Sequence, residues 1–88
     1  IIGGIKMARI AVIGCILEDP RECQSEFNDV VASFRGSMKG RMGIPFEGEI
    51  SVISLTVVGE VDDINTLTGK LGNISGVTVK TAIAKKEI

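Results

Sequence analysis

Apolar residues recur along this chain with two periods, two and about four, and the switches between them mark the elements. Ile50-Ser51-Val52-Ile53-Ser54-Leu55-Thr56-Val57-Val58 is rich in β-branched residues and closed by Gly59, which predicts a strand. Its two alternating sets hold no charge. A strand uncharged on both sides belongs in the middle of a sheet. Lys6 to Leu17 has the same character, with Ile10, Val12, Gly14 and Ile16 on one side and Ala11, Ile13, Cys15 and Leu17 on the other. Glu18-Asp19-Pro20 ends it. Asp19 suits a helix N-cap, Pro20 the first helical position, and Glu22 completes an Asp-x-x-Glu capping box. Cys23, Phe27, Val30, Val31 and Phe34 then form one helical stripe, with Gly36 as the expected stop.

Ser37 to Phe46 alternates Met38, Gly40, Met42 and Ile44 with Lys39, Arg41 and Gly43, as an edge strand carrying its charges outward. Glu47-Gly48-Glu49 is the hairpin connection into the central strand. Gly59 to Gly72 predicts a second helix with Val61, Ile64, Leu67 and Leu71 inward and Asp62 and Asp63 near its positive end. Gly69 is costly inside a helix, and a close backbone approach would account for it. Val77 to Ala84 is the last strand, and its lysine, Lys80, with Lys85 and Lys86 beyond, suits an edge. The order is β-α-β-β-α-β. Right-handed crossovers put the first and third strands at the centre, giving an α+β, ferredoxin-like sandwich: an antiparallel sheet of order 4-1-3-2 with two helices on one face. The ordered domain is expected over 7–86, with 87–88 as a tail and 1–6 as an upstream extension or cloning remnant.

Two helices shelter one sheet face only. The other exposes a row from each central strand, more apolar surface than a lone monomer usually leaves wet. Composition points the same way: 44% of 88 residues are hydrophobic, a large share for a domain this small to bury by itself. The expected partner is therefore another copy, in a dimer or a tetramer built from dimers.

Charge and chemistry narrow the function classes. The net charge is −1 and there are three Phe, no Trp and no Tyr, which argues against direct nucleic-acid binding. The absence of His removes the commonest general base and metal ligand. Cys15 and Cys23, separated by seven residues, match no zinc or redox spacing and read as buried reduced thiols. No cofactor or metal is expected. No apolar run is long enough to cross a membrane, so a cytoplasmic setting is expected and no membrane partner. Gly69-Lys70 lacks the spacing and the strand–loop–helix setting of a phosphate loop. Glu18, Asp19 and Glu22 are better explained as capping than as metal ligands.

Gly40-Arg41-Met42-Gly43-Ile44-Pro45-Phe46 breaks strand chemistry with two glycines and a proline; local rule-breaking often marks function, and the ordinary alternative is a frayed edge with a bulge. Arg41 to Phe46, with Arg9 to Gly14, Ile50 to Ser54, Ile64 to Gly72 and Gly76 to Thr81, resembles the small family of proposed regulators of the iron-only hydrogenase system. The likeness runs from Met7 across nearly the whole chain. It departs at Glu47-Gly48-Glu49, where members often carry a longer connection, and at Ile83, near which they tend to end on Tyr. The family's fold resembles ACT domains and the C-terminal domain of the nickel-responsive repressor, both oligomeric sensor modules. The repressor's nickel site has no counterpart here, because its histidines are missing.

The resemblance implies a non-enzymatic regulatory module that binds a small effector at a subunit seam. ACT-like domains hold ligands near the first strand–helix turn, which here contains Glu18, Asp19, Pro20 and Arg21. Arg41 and Met42 join these as ligand-binding candidates. The chain has no room for a helix-turn-helix beside this fold, so any action on transcription requires another regulatory or maturation protein. Two other readings stand beside this one: an assembly partner without ligand, and a small ferredoxin-like enzyme.

Overall fold

The computed structural model describes residues 7–88, so the reading of 1–6 lies outside the described residues. The elements are β1 (Arg9–Leu17), α1 (Pro20–Ala32), β2 (Ser37–Phe46), β3 (Ile50–Gly59), α2 (Val61–Gly72) and β4 (Val77–Glu87). The sheet order is β2-β3-β1-β4, fully antiparallel, which is the expected order read from the other edge.

The register sorts every strand residue onto one of two faces. On the helix side the cross-strand rows are Arg41–Leu55–Ile13–Thr81, Gly43–Ile53–Cys15–Val79 and Pro45–Ser51–Leu17–Val77. Ala11, Ile13, Cys15, Leu17, Ile53, Leu55 and Val57 are buried there against Cys23 and Phe27 of α1 and Ile64, Leu67 and Leu71 of α2, with Ile74 closing the end. From Ala11 to Leu17 every second residue of β1 is buried and its neighbours are not, so the period of two seen in the sequence is the boundary between core and bare face. Burying a Leu or Ile side chain here contributes about 1.5–3 kcal/mol. A further tie is polar: the Thr68 hydroxyl meets that of Thr81 at 2.8 Å and also donates to the Ile64 carbonyl, joining α2 to β4.

Several local expectations are corrected. The Asp19 side chain makes no cap hydrogen bond, and no capping box forms with Glu22; the Asp19 carbonyl instead accepts from the Glu22 and Cys23 amides. Helix α1 stops at Ala32, ahead of Gly36. The Ser33 amide is shared between the Asp29 and Val30 carbonyls and its hydroxyl donates to Val30 at 2.6 Å, which closes the helix one turn early. Gly36 serves packing instead: a Cβ there would fall 2.4 Å from the Val58 carbonyl oxygen and 2.6 Å from the Phe34 ring. Helix α2 begins at Val61, because Gly59 completes β3 and Glu60 is the N-cap. Gly69 faces open space, with nothing within 4 Å of a Cβ placed on it, so no backbone approach among the described residues accounts for it. The end of the chain is tied down: β4 runs to Glu87, Arg9 pairs with Glu87, and the Ile88 amide donates to Ala8 at 2.8 Å.

Candidate functional site

The bare sheet face is the dominant surface of the molecule. Its rows are Gly40–Thr56–Val12–Ala82, Met42–Ser54–Gly14–Lys80 and Ile44–Val52–Ile16–Thr78, followed by the pair Phe46–Ile50. Across these rows Lys80 is the one ionised side chain. Ile10, Val12, Ile16, Met42, Ile44, Phe46 and Ile50 expose between 37% and 63% of their surface. The open row of β1 is thus Ile10-Val12-Ile16, and Ala11-Ile13-Leu17 is the core row. Strand β2 adds Met42, Ile44 and Phe46, which sequence reasoning placed at a frayed edge and did not count as part of an apolar surface. The signal was there in the alternation of those three residues, hidden by the intervening Gly43 and Pro45. All ten residues of β2 are exposed, so among the described residues neither side of this strand is buried.

The face is not flat. Where β1 carries Gly14 there is a hollow of about 260 Å³, bordered by Ile16, Val52, Thr78 and Lys80. A second crevice of about 250 Å³ lies on the opposite layer, between the end of α1 and α2, lined by Ser33, Phe34, Arg35, Asp63, Thr66, Leu67 and Lys70.

The residues singled out from sequence do not form one site. Glu18, Asp19, Pro20 and Arg21 lie together at the β1–α1 turn, where the Glu18 amide donates to the Gly76 carbonyl at 2.9 Å. Arg21 forms an ion pair with Glu49, which fastens this turn to the β2–β3 hairpin. In that hairpin Gly48 and Glu49 both have positive φ. Arg41 is elsewhere. It lies on the helix side rather than pointing away as an outward edge charge: its guanidinium donates to the Asn28 side-chain oxygen at 2.7 Å and sits 5.7 Å from the centre of the Phe27 ring. Met42, the next residue, points to the bare face by the pleat of the strand.

Neither thiol is set up for chemistry. Both cysteines are buried and free. Burial pushes the Cys15 thiol up to about 11, against the opposing pull of Arg41. Burial, reinforced by Asp19 and Glu26, also raises that of Cys23, with a backbone hydrogen bond acting in the other direction. Both therefore stay protonated and unreactive near neutral pH. Among the described residues no cluster of three or more His, Cys, Asp or Glu is placed to hold a metal ion, and no helix is long and apolar enough to cross a membrane.

Known proteins place this geometry. The chain is similar to the uncharacterized protein TM1266 from Thermotoga maritima, at 33% identity over 89% of this chain and 99% of that one, with a TM-score of 0.81. It shares its fold with the ACT domain of GTP pyrophosphokinase from Chlorobium tepidum, at 23% identity, covering 85% of this chain and 99% of that one, TM-score 0.73. The same fold recurs in the C-terminal domain of the MgtC protein from Mycobacterium tuberculosis, at 10% identity, covering 98% of each chain, TM-score 0.65. Comparison with curated proteins gives no match. A family model described as "Iron-only hydrogenase system regulator, putative" matches residues 9–81, and with an ACT-like sheet beneath that match the chain belongs to the TM1266-like family.

Proposed function

We propose that this chain is a regulatory binding module of the iron-only hydrogenase system, without catalytic activity of its own, which works as a homo-oligomer and takes a small effector at the seam between copies. The observation that carries the reading is the apolar face that the two helices leave bare. Its seven exposed large side chains, each on the order of 200 Å² in full, present roughly 600 Å² per copy. Two such faces together reach roughly 1,200 Å², the lower bound for a specific, stable protein interface. A second copy suits the face better than a charged partner, because the rows from Val12 to Phe46 offer one ammonium group, that of Lys80, and otherwise apolar and hydroxyl side chains.

The effector belongs at the end of the sheet where the β1–α1 turn meets the β2–β3 hairpin. Glu18 and Asp19 offer carboxylates to an ammonium group, and Arg21, released from Glu49, offers a guanidinium to a carboxylate, so an amino acid or related metabolite matches the charges. The family description supplies the hydrogenase context. A control of transcription or of hydrogenase maturation would pass through another protein.

A thermal-shift panel of amino acids and related metabolites tests this on the wild-type chain, on Arg21→Ala and on Ile44→Lys, which places a charge in the bare face. One class of ligand should raise Tm by several degrees in the wild type and fail to do so in both variants. A panel that moves none of the three contradicts the effector role.

A further inference from the structure

We propose that two copies pair isologously over Val52, with Phe46 of each seated in the hollow above Gly14 of the other. This rests on the reading of the bare face as a self-association surface, and names the contact that sets its geometry.

Gly14 is the residue that calls for explanation. Glycine in the interior of a central strand weakens it, so something should require it there. The backbone does not: the glycines with positive φ among the described residues are Gly48 and Gly76. Crowding does not either, since among the described residues a Cβ on Gly14 would meet only the Lys80 carbonyl oxygen, at an ordinary 3.9 Å. What the missing side chain creates is the hollow of about 260 Å³ on the bare face. None of the described residues fills it.

Phe46 supplies a matching knob. It is the largest side chain on that face, 55% exposed, at the far end of β2 beside Ile50. It lies two strands over from Gly14 and four residues along, roughly 10 Å across the sheet and 13 Å along it. The midpoint of that path falls on Val52, which pairs with both Ile44 and Ile16. A twofold axis parallel to the sheet, passing over Val52 and perpendicular to that path, therefore exchanges the knob and the hollow. Both rings seat at once, as a closed dimer demands. The same rotation crosses the strands of the two sheets at roughly 70–80°, in the orthogonal class of sheet packing. Lys80 borders the hollow, and its long side chain can bring an ammonium group over the face of a seated ring, an attraction open to an aromatic occupant and not to an aliphatic one.

The test is sedimentation equilibrium on the full chain, with a thermal melt of each variant under conditions where it is monomeric. Gly14→Leu fits the monomer, so its melt should be unchanged or higher, while its dimer Kd rises about tenfold because the hollow is filled. Phe46→Ala should also raise Kd about tenfold. The double variant should lose about tenfold rather than a hundredfold, because both changes remove one contact. If Ile44→Lys breaks the dimer but either single variant leaves Kd unchanged, or if the two losses multiply, the copies pair through this face in another way and the seat is wrong. A wild-type chain that sediments as a monomer overturns the self-association reading, and the seat with it.

Discussion

Cys15 sits at the centre of the helix-side face, fully buried in the row Gly43–Ile53–Cys15–Val79. Its thiol is raised from 9.0 to about 11, chiefly by loss of water, with Arg41 opposing. Linkage fixes the sign. Between those values the unfolded chain releases a proton that the folded chain keeps, so ionisation favours unfolding. The contribution is present in full below pH 9 and is lost as pH rises through about 11. Tm should therefore fall across this window, and Cys15→Ala should flatten the fall; an equally steep profile in the variant would contradict the assignment. Burial of this residue was legible in the sequence, because a free cysteine that matches no zinc or redox spacing behaves as a small hydrophobe, although which of the two apolar rows of β1 faces the helices was not. The role of Arg41 was not. A strand pattern states which residues share a face, but not that α1 would bring Phe27 and Asn28 within reach of a guanidinium on the second edge strand.

Elements were read well where one physical term dominates and poorly where several small ones compete. The apolar, β-branched runs of β1 and β3, without charge in either alternating set, identified both strands and their central position. Helix ends are decided by single hydrogen bonds, and those were missed: the Ser33 amide, not Gly36, ends α1, and a backbone carbonyl, not a capping box, receives the first amides. The last strand runs past the expected end at Ala84, because Arg9 and Ala8 provide partners for Glu87 and Ile88. Two glycines separate packing from propensity. Gly36→Ala would drive a methyl into the Val58 carbonyl and the Phe34 ring, and should cost about 2 kcal/mol or more. Gly69→Ala, with open space around it, should stabilise the chain by about 1 kcal/mol. Urea unfolding of the two variants decides both; matching midpoints would show that the clash at Gly36 is absorbed by movement of Phe34.

At the scale of the whole molecule the structure is a sheet with one finished side. Its topology follows from the sequence because the β-α-β-β-α-β order and right-handed crossovers leave few alternatives. The existence of a bare apolar face follows from counting layers. Its extent did not follow, since β2 reads as a broken edge until the register shows Met42, Ile44 and Phe46 in line with Ser54, Val52 and Ile50. The candidate ligand residues divide in the same manner: the turn residues Glu18 to Arg21 cluster at one end, while Arg41 and Met42 lie on opposite faces of β2 and cannot serve one pocket in a single copy. On the proposed reading, a seam between copies gives this surface its use. Light scattering coupled to a sizing column, on the wild-type chain at micromolar concentration, tests this most directly. The account predicts a mass that is twice or four times that of the chain, falling to one chain mass for Ile44→Lys; a wild-type chain that elutes as a stable monomer would contradict it.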